Sequence, residues 1–347
     1  MNFIRKLLFP FSILYGLITS IRNFLFDIGF LKSHSFDIPI IAVGNLSVGG
    51  TGKTPQIEYL IRLLSPNYKI ATLSRGYKRK SKGFVLADSS STAETLGDEP
   101  FQIYQKFSNI EVAVDANRKN GIEQLLKLNT KPEIILLDDA FQHRKVKAGF
   151  YILLTSFNDL FSDDFMLPTG NLRESRSGAR RANLIIVTKC PKDISELAIN
   201  KINEKMMRFL IRRNDKVIPI YYSYIDYDNK VYNENENKSV SEIMNNDKLL
   251  LAGIAKPEPF FEFLQSKNGT KLVYPDHHNF TENDLKEIKK VANNNIIITT
   301  EKDYVRLKNS NLKAQLFYLP IKSLFISNSD TFDKTILNYV GRSSENG

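Results

Sequence analysis

The chain has 347 residues, 48 Lys and Arg against 38 Asp and Glu, a formal net charge of +10, 42% hydrophobic and 25% charged residues, and one cysteine. This length supports one large α/β domain or two smaller ones, and the composition excludes a disordered chain or a small staple-dependent module. The lone Cys190 excludes an internal disulfide framework and a cysteine-based metal cluster, while the positive charge points to anionic partners: nucleotide, nucleic acid or acidic lipid.

Residues 7–21 carry no charge between Lys6 and Arg22, a run shorter than the ~20 apolar residues that span a bilayer, and Pro10 lies within it. Ser12, Gly16, Thr19, Ser20, Asn23 and Asp27 recur at helical spacing, while Leu14, Leu17, Ile18, Ile21, Leu25 and Ile28 fill the other faces. The spacing predicts an amphipathic helix within residues 1–30. With Arg5, Lys6 and Arg22 beside it and Phe3, Phe9, Phe11, Phe24, Phe26 and Phe30 in it, that helix suits a membrane surface. A helix packed on its own domain and a signal peptide are the alternatives, although no small-x-small cleavage site follows.

Apolar, β-branched runs at 38–43, 69–73, 134–137, 151–154 and 184–187, separated by helical or loop segments, predict a doubly wound, mostly parallel α/β sheet. Directly after the first of them comes Gly44-Asn45-Leu46-Ser47-Val48-Gly49-Gly50-Thr51-Gly52-Lys53-Thr54, which ends as a Walker A phosphate-binding loop does. Its backbone amides can cradle phosphate oxygens, Lys53 can reach the β- and γ-phosphates, Thr54 can ligate Mg²⁺, and the following helix aims its positive end at the anion. Ser47 stands where the strict pattern has its first glycine.

The 134–137 strand ends in Asp138-Asp139, as a Walker B strand does, which predicts a Mg²⁺ site shared with Thr54. After 184–187 stands Thr188-Lys189-Cys190-Pro191, with Pro where a guanine-specific loop needs Asp, so ATP is the expected nucleotide. Tyr-rich alternation at 217–232, broken by Asp228 and Asn229, predicts a hairpin or ribbon crossing between domains, followed by polar residues 233–238. A smaller α/β unit follows, with strands at 248–252, 271–274 and 296–299, a helix cap at Thr281 with Asp284, and a frayed end at 343–347. The expected division is 1–30 interfacial helix, 31–216 P-loop domain, 217–238 ribbon and 239–347 smaller domain.

The run V-G-N-L-S-V-G-G-T-G-K-T-P that closes at Pro55 resembles the loop of the tetraacyldisaccharide 4′-kinases of lipid A biosynthesis. Further matches run in order: Ser74-Arg75-Gly76-Tyr77, Gly97-Asp98-Glu99-Pro100, Asp138-Asp139-Ala140-Phe141-Gln142-His143-Arg144, and Leu167-Pro168 through Asn171, Leu172, Arg173 and Glu174. Ala252-Gly253-Ile254, Asp276-His277-His278 and Thr300-Glu301-Lys302-Asp303 complete them. Ala140, where Gly is common, and Ile254, ahead of Ala255-Lys256, depart from the pattern.

The resemblance implies transfer of the ATP γ-phosphate, with Mg²⁺, to the 4′-hydroxyl of a tetraacylated glucosamine disaccharide 1-phosphate at the cytoplasmic face of the inner membrane. It also implies two α/β domains joined by a β-ribbon. It makes Asp98 the base, paired with His277, beside Lys53 and Asp139 as catalytic residues. Arg75, Asn171, Arg173 and Glu174 become candidates for the substrate. Arg118 and His143 lie in reach of the same phosphates, His34 reads as an ordinary surface or core residue, and His278 should face away from His277. Asp98 could instead cap the helix opened by Glu99-Pro100. The competing functions are a P-loop ATPase acting on nucleic acid or a protein, which has no use for an aromatic amphipathic start, and a nucleotide switch, which has no use for a carboxylate base.

Overall fold

The computed structural model describes residue 5 and residues 7–210, 217–264 and 270–344. Phe3, Lys6 and residues 345–347 lie outside the described residues.

The first part of the chain builds strands β1 (Ile40–Asn45), β2 (Ile70–Ser74), β3 (Val85–Leu86), β4 (Glu111–Val114), β5 (Ile134–Asp138), β6 (Phe150–Ser156), β7 (Leu184–Thr188) and β8 (Ile220–Tyr227). With β15 (Ile321–Phe325) they form a nine-stranded sheet in the order β15-β8-β7-β6-β1-β5-β2-β4-β3. Every residue of β1, β2 and β7 is buried, as expected of parallel strands covered by helices on both faces. The antiparallel strands, β3 on β4 and β15 on β8, lie at the two edges.

Chain order reverses at β1, which pairs with β5 on one side and β6 on the other. Ligands of such sheets sit where the order reverses, beyond the carboxyl ends of the strands. The register pairs Val43 with Asp138, so the phosphate loop and the Asp138-Asp139 pair leave neighbouring strands at the same level.

The smaller sheet has the order β10-β9-β14-β13-β11-β12, from β9 (Lys230–Tyr232), β10 (Asn237–Ser239), β11 (Lys248–Ala252), β12 (Thr270–Val273), β13 (Ile296–Thr300) and β14 (Leu316–Leu319). Of the two expectations, a hairpin or a ribbon crossing between domains, the pairing excludes a local hairpin of β8 with β9. β8 does not fold back on β9; it pairs with β15, while β9 pairs with β10 and β14. Two connections therefore pass side by side between the sheets, tied by Asp228 N–H donating to Pro320 O at 3.0 Å.

The expected 239–347 unit is divided at this crossing, because β15 and the Ser329–Ser344 helix return to the large sheet. Phe332, Ile336 and Val340, spaced by one helical turn, join Ile57, Leu60, Ile61 and Leu64 of the Lys53–Leu64 helix in one core cluster. Burying that apolar face against the first domain outweighs staying with the nearer sheet.

Candidate active site

The loop after β1 takes its shape from two glycines. Gly49 and Gly52 sit at φ +113° and +81°, a region that side chains avoid, and Gly52 is the N-cap of the Lys53–Leu64 helix. Ser47 explains why the first glycine is dispensable here: its backbone makes an antiparallel bridge with Leu172, an extended conformation open to any residue. Val48 N–H donates to Asn171 O at 2.8 Å, and Arg173 N–H to Leu46 O at 2.7 Å. On the other flank Thr188 Oγ1 donates to Thr51 O at 2.8 Å and Lys189 Nζ to Gly50 O at 2.7 Å. Pro55 sits in the helix's first turn, where its missing N–H costs nothing. Thr54 is half-buried beside it.

At the mouth of this loop Lys53 Nζ lies 3.5 Å from Asn45 Oδ1 and 3.6 Å from Asp139 Oδ1. Arg173 forks onto Asp139, with Nη1 to Oδ2 at 3.1 Å and Nη2 to Oδ1 at 3.0 Å. Burial pushes the Asp139 carboxyl up, but Lys53 and Arg173 outweigh it and hold the group below the usual carboxylate range. Asp138 stands differently. Its Oδ1 is buried without a hydrogen-bond partner among the described residues, and burial, against the pull of Lys53 and with Asp139 and Glu99 adding, pushes its pKa up to about 6.

Arg118 is buried beneath, donating to Asp115 O and, at 3.0 Å, to Asp138 O. Its pKa is lowered to about 10 by burial, and Arg75, exposed at the end of β2, is among the charges acting on it. His143 is half-buried, and burial followed by Arg118 pushes its ring below the ordinary histidine value. His34 stays outside the site, its N–H on Lys145 O at 2.9 Å.

Glu174 does not face an open site. It is 3% exposed, and its carboxylate accepts from Arg181 at 2.8 Å, Gln142 at 2.9 Å and Asn23 at 2.9 Å. It ties three segments together, and Asn171 likewise accepts from Arg5 at 3.1 Å. Glu174→Ala strands those buried donors and is expected to cost about 3 kcal/mol of stability, read as a drop in denaturant midpoint.

The polar stripe of the Phe9–Asp27 helix faces the strap formed by residues 164–174. Ser12 Oγ donates to Thr169 Oγ1 at 2.7 Å, Tyr15 Oη to Arg173 O at 3.0 Å, and Gly16 packs on Met166. The apolar residues Phe11, Ile13, Leu14, Leu17, Ile18, Ile21 and Phe24 are all at least half exposed. Apart from Phe26, which is buried, the helix is thus packed on its domain through its polar side, the reverse of a soluble amphipathic helix.

Asp98 sits at the entrance to the Asp98–Lys106 helix, but that helix is capped by Gly97, with no side-chain cap. Instead of capping, Asp98 is forked by Arg306, through Nε to Oδ1 at 3.0 Å and Nη2 to Oδ2, and Oδ2 also meets His277 Nδ1 at 3.1 Å. His277 is held at φ +60° in the turn after β12, not at the strand end itself, and its Nε2 lies 3.0 Å from Lys302 Nζ. Nδ1 lies 3.2 Å from Arg306 Nη2 as well, so both ring nitrogens face a donor-only cation while Nδ1 also meets Asp98. His278 turns away to Asp284 at 3.0 Å. Burial pushes the Asp98 carboxyl up, but Arg306 and then His277 hold it below the usual range.

The structure gathers the loop, Asp138, Asp139 and Arg173 at the ends of β1 and β5, and brings Asp98 and His277 together. Arg306 and Arg181 were missed from sequence, and Lys302 and Lys189, though within quoted motifs, were given no role. Arg306, one turn beyond the motif residue Lys302 on the Glu301–Leu307 helix, could have been found from that helical spacing.

Residues 4–341 match the model of a family described as tetraacyldisaccharide-1-P 4′-kinase. A tetraacyldisaccharide 4′-kinase of Flavobacterium psychrophilum is 70% identical over 347 residues, the whole of both chains. One of Bacteroides thetaiotaomicron is 44% identical, covering 99% of this chain and 95% of that one. A crystal structure of LpxK from Aquifex aeolicus in complex with ATP superposes with a TM-score of 0.78 at 28% identity, covering 97% of this chain and 99% of that one.

Proposed function

Because the chain belongs to the tetraacyldisaccharide-1-phosphate 4′-kinase family, we propose that the loop at 47–54 holds ATP while Asp98 takes the proton of the sugar 4′-hydroxyl at a membrane surface. The enzyme is a phosphotransferase of lipid A biosynthesis that phosphorylates a tetraacylated disaccharide 1-phosphate, and the nucleic-acid or protein ATPase alternative is not favoured.

The carrying observation is the convergence of Lys53, Arg173 and Asp139 beside the unpartnered Asp138 oxygen at the mouth of the loop. Phosphoryl transfer asks mainly for positioning and for positive charge around the equatorial oxygens. Amides of 49–54 and Lys53 supply both, and Arg173 is the second fixed cation. The 4′-oxygen bonds to the γ-phosphorus, the bond from that phosphorus to the ADP oxygen breaks, and the hydroxyl proton passes to Asp98.

A buried carboxylate oxygen without a donor, on a group whose ionisation burial disfavours, fits a divalent cation. Among the described residues no cluster of three or more His, Cys, Asp or Glu could hold a metal alone, which suits Mg²⁺, a cation bound through one or two protein oxygens plus phosphates and water. Thr54 and Asp138 would hold it, and Asp139, already engaged by Arg173 and Lys53, would lie at its edge. Bound there, Mg²⁺ supplies charge neutralisation at the transferring phosphates.

The outward apolar face of the Phe9–Asp27 helix supports seating in the cytoplasmic leaflet of the inner membrane, with the polar stripe keeping the domain attached. That helix is long and apolar enough to cross a bilayer, but its docking along the 164–174 strap favours lying in the interface. Leu17→Glu combined with Phe24→Glu is expected to lower vesicle binding by a hundredfold or more, about 3 kcal/mol or above, with ATP binding unchanged. Co-flotation with anionic vesicles measures it, and wild-type flotation of the pair would sink the interfacial assignment.

The function is tested with γ-labelled ATP, Mg²⁺ and tetraacylated disaccharide 1-phosphate in detergent micelles. Label is expected on the lipid; label released only as free phosphate at a rate indifferent to lipid would refute it.

A further inference from the structure

The two oxygens of Asp98 are unequally occupied. Oδ2 meets both Arg306 Nη2 and His277 Nδ1, whereas Oδ1 receives only Arg306 Nε among the described residues. A carboxylate offers about four lone-pair positions, so Oδ2 is filled and Oδ1 keeps one.

Arg306 itself is firmly mounted. Its side chain is 10% exposed and Nη1 donates to His278 O at 2.7 Å. The Glu301–Leu307 helix that carries it is bolted to the Asp98 helix by Lys106, whose Nζ bridges Glu301 at 2.6 Å and Glu58 of the Lys53–Leu64 helix at 2.7 Å. Lys308 adds a bond to Gln105 at 2.6 Å.

We infer that Arg306, a residue of the smaller sheet's helix, is a positioning residue for the transfer: its fork turns the Asp98 carboxylate so that the open lone pair of Oδ1 takes the acceptor's proton. The inference rests on Asp98 being the base. As the sugar oxygen bonds to phosphorus and the ADP oxygen departs, the hydroxyl proton moves to Oδ1. The Arg306 charge then favours its return to water, which restores the ionised base for the next turnover.

The groups facing Asp98 are Glu99 on its own helix, Asp276 and His277 from the turn after β12, Lys302, Asp303 and Arg306 from the facing helix, and the edge of Tyr77 against the His277 ring. Of these, Arg306 is the cation in bidentate contact. Without it, burial is opposed chiefly by His277, and the carboxyl is expected to rise.

The test is the pH profile of kcat/KM for the lipid, at saturating ATP and Mg²⁺ in micelles, for wild type, Arg306→Met and Arg306→Lys. Arg306→Met should move the acidic limb to higher pH, lower kcat roughly tenfold or more near neutrality, and leave ATP affinity unchanged. Arg306→Lys should return the limb while recovering only part of kcat, because an ammonium cannot fork. A folded Arg306→Met with an unmoved limb, even if slower at every pH, overturns the inference. Should Arg306→Met fail to fold, wild-type kcat in Arg306→Lys overturns it and reduced kcat with unchanged ATP affinity supports it. Asp98→Asn in the same assay separates the premises: full activity there removes the base itself, while inactivity there beside a wild-type profile in Arg306→Met removes Arg306 alone.

Discussion

Lys53→Met is expected to lower kcat/KM by about a thousandfold, some 4 kcal/mol of transition-state stabilisation, while the fold survives. The ammonium is the one loop cation positioned over both Asp139 and Asn45, at 3.6 and 3.5 Å. Its removal does not strand Asp139, because Arg173 still forks that carboxylate, and Arg173 also holds Asn45 Oδ1 and Ser47 O. The loss should therefore fall on charge developing in the transferring group. Steady-state kinetics with thermal unfolding in parallel measures both, and a similar rate loss accompanied by a collapse in melting temperature would mean that Lys53 holds the loop rather than the phosphate.

Much of this site was readable because its chemistry is local in sequence. Gly49 through Thr54 and Asp138-Asp139 are contiguous motifs at strand ends, and buried parallel strands read as apolar runs, so β1 and β5 were legible, while the register between them came from the structure. Two others did not: β4, Glu111–Val114, is too brief to carry a period, and β15 begins in Ile321-Lys322-Ser323, where polar residues break the apolar run. The return of Phe332, Ile336 and Val340 to the first core depends on contacts across hundreds of residues, which periodicity cannot assign.

Residue types misled where a partner decides the role. Glu174 was a candidate for the substrate through the motif that carries the resemblance, yet Arg181, Gln142 and Asn23 occupy it. Asp98 looked able to cap its helix, but a glycine at φ +93° does so and frees the carboxylate for Arg306. The amphipathic helix was legible as a pattern, while the fact that its polar stripe points inward required seeing Thr169 and Arg173 on the other side.

Asp98→Asn is expected to reduce kcat by a factor between about 10² and 10⁴ with little change in the KM for ATP. The amide keeps the shape, and its oxygen can still accept from Arg306 Nη2 and His277, but its NH2 meets the Arg306 Nε–H and cannot take a proton. Stability supplies a second, independent reading. The folded Asp98 carboxyl lies below its ordinary value, so its ion pair stabilises the fold above the unfolded carboxylate pKa, and that contribution fades as pH falls through the folded value. Asn at this position should cost about 2 kcal/mol near pH 7, where an ion pair is replaced by a neutral hydrogen bond, and close to nothing at pH values below the folded pKa. Denaturant midpoints across pH measure this convergence. A variant that loses activity while showing the same stability deficit at every pH would place Asp98 in the framework of the domain junction and take the base from the mechanism.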